Sequence, residues 1–162
     1  MTSPSKYLAT YLNDHLGGAT AGVELARRAA RENDGNELGA FLSGLATEIE
    51  ADRETLEAIM SELGVKPDRA KVAAGWAAEK VGRLKPNAQL LGYSPLSPLV
   101  ELEALLVGIE GKLALWRALA EVADTIGLDR PRLEALAARA DGQQADVERH
   151  RRDAARLALT AG

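Results

Sequence analysis

Residues 36–64, NELGAFLSGLATEIEADRETLEAIMSELG, decide the fold. Leu38, Phe41, Leu42, Leu45, Ile49, Leu56, Ile59, Met60 and Leu63 recur at three- and four-residue spacing. A helix turning about 100° per residue gathers that spacing on one face. Asp52 is the one carboxylate inside the apolar stripe, and Glu48 lies toward its edge. Gly64 stops the helix near Leu63, with Pro67 beyond it.

The same period extends in both directions. Upstream, Ser3-Pro4 opens a first helix that runs to about Glu32, and Asn33-Asp34-Gly35-Asn36 turns the chain. Its stripe is Leu8, Leu12, Ala19, Gly22, Val23, Ala26 and Ala30, with His15 near the centre. Glu24 falls on the opposite side with Arg27. Downstream, Ser97-Pro98 opens a third helix ending near Ile126 at Gly127, with Leu102, Leu105, Leu106, Ile109, Leu113, Trp116 and Ala120 inward. A fourth begins at Asp129, carries Pro131 in its first turn and runs to about Ala158. Leu133, Leu136, Ala140, Val147 and Ala154 form its stripe, with Gln143 and His150 toward one margin.

The expected helices are thus about 4–32, 36–63, 98–126 and 130–158, in a single all-α domain, 1–162. Short links make the first and last pairs antiparallel hairpins. The long segment 65–97, with a short fifth helix near 68–84, joins them. Two hairpins and one long crossover is the connectivity of ferritin-like bundles.

Composition excludes much. The chain has no cysteine and only two histidines, so thiolate-ligated zinc and iron–sulfur centres are ruled out. Aromatic residues are 4% of the chain, which leaves Leu, Ile, Val and Ala to build the core. A net charge of −4 gives no reason to expect nucleic acid. No apolar run spans a bilayer, and Met1 to Leu8 lack a signal-peptide core, so a cytoplasmic chain is expected. Phosphate-cradling loops and nucleophile elbows are missing.

Leu12-Asn13-Asp14-His15-Leu16-Gly17, followed by Ala19 and Gly22-Val23, resembles the first helix of bacterioferritin-type proteins, and Glu48 to Leu56 resembles the second. The resemblance covers the four long helices and implies a ferritin-like bundle. In that family, helices 1 and 3 each give a glutamate to a di-iron centre, and helices 2 and 4 each give a Glu-x-x-His pair. At those positions this chain carries Ala19, Ile49 with Asp52, Ile109, and Val147 with His150. One aspartate and two histidines do not supply the carboxylates that two hard cations need. The resemblance therefore implies the fold without the di-iron chemistry, and neither cofactor nor metal is expected.

The polar residues assigned to the interior are His15, Asp52, Gln143 and His150. Asp52 and His15 lie at similar height, and the expectation is a buried Asp–His hydrogen bond. The alternative is a mononuclear metal or small-molecule site using His15, Asp52 and His150. Lys66, Arg69, Lys71, Lys80, Arg83 and Lys85 make the crossover basic; it is read as a connector packed through Trp76, not as a membrane-surface helix. Gly17 and Ala21 face away from the core, and Ala104, Gly108, Leu115, Leu119 and Val122 extend the apolar surface of helix 3. These surfaces suit a homodimer. The function expected is that of a non-catalytic bundle acting through protein–protein contacts.

Overall fold

The computed structural model describes residues 4–74 and 92–160. Among them no strand occurs, and four long helices dominate: α1 (Lys6–Glu32), α2 (Glu37–Glu62), α3 (Ser97–Ile126) and α4 (Arg130–Thr160). At 1.5 Å per residue each is about 40–46 Å long. The caps explain the ends. Ser5 Oγ accepts from Leu8 N at 3.1 Å, so Ser5 caps α1 in place of the expected Ser3. Asn36 Oδ1 accepts from Gly39 N at 2.9 Å and caps α2. At the other ends of α2 and α3 the chain closes with matching bonds, Val65 N to Met60 O at 2.8 Å and Leu128 N to Ala123 O at 3.0 Å. Each follows a left-handed residue, Gly64 or Gly127, which glycine adopts without a side-chain clash.

α1 packs on α2 and α3, and α4 packs on α3 and α2, giving a four-cornered bundle. Arg28, late in α1, meets Glu101, early in α3, so those helices are antiparallel. α2 turns back on α1 through the short 33–36 link, so it is antiparallel to α1 and runs parallel to α3, and Lys112 meets Asp52 near the midpoint of both. A parallel pair needs a connection from one end of the bundle to the other. Its two described ends are placed accordingly. At the start of α1, Asn13 binds both Lys66 O (3.2 Å) and Asp68 N (2.6 Å), and Lys71 Nζ reaches Asp14 Oδ1 at 2.6 Å. At the opposite end, Tyr93 Oη accepts from Asn33 Nδ2 and donates to Glu101 Oε2, both at 2.7 Å.

Residues 69–74 are helical. The rest of the expected fifth helix, with Trp76, Lys80 and Arg83, lies outside the described residues, as does Lys85 beyond it. The described start of the crossover corrects one expectation. Gly17 does not face outward: a Cβ there would sit 3.0 Å from Lys71 O, so the crossover backbone rests on α1 at that point. Leu115 and Leu119 are likewise buried and belong to the core rather than to an outer surface.

The core runs the length of the bundle. With Leu115 and Leu119, its largest fully enclosed side chains are Leu12, Leu16, Leu42, Leu56, Ile59, Met60, Leu102, Ile109, Leu113 and Trp116. Leu105 and Ile109, followed by Trp116, and Leu136, Ala140 and Val147 keep the three-and-four spacing that points them inward. Lys112 and Gln143 interrupt that spacing, and there the interior becomes charged.

Candidate functional site

Asp52 is 3% exposed and Gln143 4%, midway along the bundle. Lys112 Nζ donates to Asp52 Oδ2 at 2.5 Å and to Gln143 Oε1. Arg139 donates to the other carboxylate oxygen, Oδ1. Gln143 Nε2 donates to Glu48 Oε2 at 2.9 Å and to Asp52 Oδ2 at 3.3 Å. Three helices thus contribute one connected layer, and Asp52 is contacted by two protein cations and an amide.

Each helix places its member by register. Asp52 follows Ile49 by three residues and precedes Leu56 by four; Lys112 stands likewise between Ile109 and Trp116, and Gln143 between Ala140 and Val147. All three therefore occupy core positions. Burial, with the Arg139 guanidinium, pulls the Lys112 ammonium below its ordinary pKa, while the Asp52 carboxylate and Glu48 oppose that shift. Arg139, itself 43% exposed, connects the layer to solvent.

The sequence-assigned residues separate into two groups. Asp52 and Gln143 come together, and Gln143 lies at the centre of the α4 stripe, not at its margin. Among the described residues no hydrogen bond joins His15 or His150 to them. The expected Asp52–His15 hydrogen bond is replaced by the contacts of Asp52 with Lys112, Arg139 and Gln143. His15 instead meets the edge of Tyr11, with ring centroids 4.6 Å apart, and His150 stacks on Phe41 at 4.0 Å. Lys112 joins Asp52 and Gln143 although its residue type reads as surface charge; the step 109, 112, 116 is the signal that marks it as inward, where lysine is rare.

No group of three or more His, Asp or Glu side chains among the described residues is arranged to hold a metal ion. Glutamates along the helices have other partners: Glu24 lies 3.8 Å from Arg27, Glu110 accepts from Gln144, Glu48 from Gln143, and Glu148 from Arg151 and Arg152. Ile49, Ile109 and Val147 are buried and apolar.

A second polar group closes one end of the bundle. Glu101, 7% exposed, accepts from Tyr93 Oη and from Arg28 at 3.1 Å. Burial pushes the Glu101 carboxyl above its usual range, against the donors that stabilise its anion. It pushes the Tyr93 phenol up as well, reinforced by Glu101. These side chains tie the end of the crossover to α1 and α3, a structural task.

His15, in the first half of α1, gives the fold a pH response. Burial lowers its pKa below 6.5, with Asp14 opposing. The folded chain therefore prefers neutral imidazole, and the unfolded chain takes up the proton first as pH falls. The stability this confers is complete above 6.5 and is lost as pH drops through the depressed folded value. Thermal unfolding at pH 7.5 and pH 5 should show a smaller drop in Tm for His15→Gln than for the parent chain. An equal drop in both proteins would remove His15 as a source of acid sensitivity.

No helix among the described residues is long and apolar enough to cross a membrane. No family model, curated protein or solved structure matches this chain.

Proposed function

We infer that this chain is a non-catalytic, ferritin-like bundle that acts through protein contacts, with a built-in ion pair where relatives of that fold would hold metal. The observation that carries this reading is the Lys112 ammonium 2.5 Å from the Asp52 carboxylate. A lysine there supplies the positive charge that an interior carboxylate requires. It also repels a divalent cation that approaches the same oxygen. The parallel α2–α3 pairing and the long crossover support the ferritin-like assignment, and the apolar Ala19, Ile49, Ile109 and Val147 at the four expected glutamate positions support the reading without di-iron chemistry. A cytoplasmic setting belongs to the same proposal.

The contact surface we assign is the outer face of α3, and its partner a second copy of the chain. Val107 is 75% exposed, with Val100 and Val122 also outward on the same helix. Ala104, Gly108, Ala114 and Ala118 are exposed between them, small enough to let two helices approach closely.

Two measurements test the proposal. Untagged protein produced with iron, manganese and zinc supplied should contain far less than one metal per chain. Stoichiometric metal that disappears in Asp52→Asn would sink the ion-pair reading and favour a metal-binding protein. Light scattering should return twice the chain mass of 17.2 kDa, falling to the single-chain value in Val107→Glu. A parent protein that remains a monomer at high concentration would remove self-association through α3.

A further inference from the structure

Beside the charged layer, between α1, α2 and α3, lies a cavity of about 200 Å³. Most of its wall is aliphatic or glycine, with Ala19, Gly22, Leu25, Ile49 and Ile109 among the lining residues. Two hydrogen-bond donors on lining residues, Trp116 Nε1 and Arg53 Nε, are buried and have no partner among the described residues. Trp116 is only 1% exposed. Buried indole N–H groups ordinarily find an acceptor, because leaving one bare forfeits its hydration without return.

The charges on the wall restrict what that acceptor can be. Besides His15, the wall carries two carboxylates, Asp14 and Asp52, and two cations, Arg53 and Lys112, and each is already in an ion pair: Asp14 with Lys71, Arg53 with Glu50, and Lys112 with Asp52. An anion would find no net positive charge there and would lie near two carboxylates. An uncharged oxygen accepts from the indole without that penalty. Size sets a second limit: a dry apolar cavity of about 150 Å³ accommodates benzene.

We propose that this cavity binds a neutral, largely apolar molecule of about eight to ten non-hydrogen atoms, whose carbonyl oxygen accepts the Trp116 indole proton. The cavity shares Ala104 and Gly108 with the α3 face assigned to self-association, but probe binding and chain mass are read separately, so either proposal can fail without the other.

Acetophenone is a suitable probe. α-Methylstyrene replaces its oxygen by CH₂ at nearly the same shape, and benzoate adds a charge. Trp76 and Trp116 are the only tryptophans, so two indole N–H signals appear in a ¹⁵N spectrum, and Trp116→Phe assigns them. Acetophenone should shift the Trp116 signal downfield and saturably. It should bind about fivefold more tightly than α-methylstyrene, the ratio expected of one net hydrogen bond, and more tightly than benzoate. No saturable shift, equal affinity for the hydrocarbon, or tighter binding of benzoate would each overturn the proposal.

A second variant locates the site. A Cβ at Gly22 would lie 3.9 Å from Ile49 Cγ2, an ordinary contact, and both residues line the cavity. Gly22→Leu should therefore fill the space and abolish acetophenone binding while the protein stays folded. Undiminished binding by the folded variant would overturn the assignment. The comparison of the two isosteric probes uses the parent chain alone, so it holds even if a variant fails to fold.

Discussion

Replacing Lys112 by methionine lowers the stability of the bundle by about 3 kcal/mol, the lower end of the cost of removing one member of a buried ion pair. For a chain of this size that corresponds to a fall in Tm of roughly 6–12 °C. Methionine preserves most of the lysine stem, so the loss does not come mainly from a packing void. It comes from leaving the Asp52 carboxylate, 3% exposed, with only Arg139 and Gln143 as donors. Arg139 does not replace lysine in full, because its guanidinium is partly in water and its attraction is correspondingly screened. The charge account leads to a reciprocal result. Asp52→Leu combined with Lys112→Met should recover most of the lost stability, since an apolar pair of similar volume avoids desolvating either ion. Urea unfolding of the parent, both single variants and the double variant gives the coupling directly. A Lys112→Met protein within about 0.5 kcal/mol of the parent would show that the ion pair contributes little.

The second large effect lies in the α1–α2 turn. Gly39→Ala should cost about 2–3 kcal/mol, in the range of overpacked interiors, although alanine in a helix normally gains up to about 1 kcal/mol over glycine. A Cβ on Gly39 would collide with the Asn33 carbonyl oxygen, 2.6 Å from its carbon and 3.2 Å from Asp34 N. These are backbone atoms, and they cannot rotate away as a side chain would. The turn is also fixed from other directions: Asn33 N bonds to Ala29 O at 3.2 Å, Asn33 Nδ2 to the same oxygen at 2.9 Å, and Tyr93 to the Asn33 amide. Gly44→Ala on the same helix is the control. A Cβ there meets nothing within 4 Å, so the substitution should be neutral or stabilising. Equal thermal stability of the two variants would show that the turn yields more easily than its hydrogen bonds imply.

Both predictions concern positions whose importance the one-dimensional pattern did not display. Gly39 reads as a tolerated glycine in an amphipathic helix. Only the path of the preceding turn, which brings the Asn33 carbonyl back over the first turn of α2, makes the missing Cβ necessary. Lys112 reads as a surface charge because its type is common there. Its register next to Ile109 and Trp116 is an inward one, and the pairing that makes that register tolerable comes from Asp52, sixty residues away. Asp52 and Gln143 were recognisable as inward from their spacing, whereas the partners they would choose were not. His15 and His150 show the converse: chemically attractive residue types near the core pack against Tyr11 and Phe41 instead of joining the charged layer.

By itself the sequence determined four helices, the glycines at which α2 and α3 stop, and an interior apolar at Ile49, Ile109 and Val147. Those features depend on local propensity and on a fixed angular step, both readable from neighbours three and four residues apart. The tertiary structure alone decided that Asp52 pairs with Lys112 and Arg139, that Gly17 lies under the crossover, and that a cavity opens beside Trp116. Such contacts depend on the azimuth and height at which separate helices meet, which no single helix's repeat encodes.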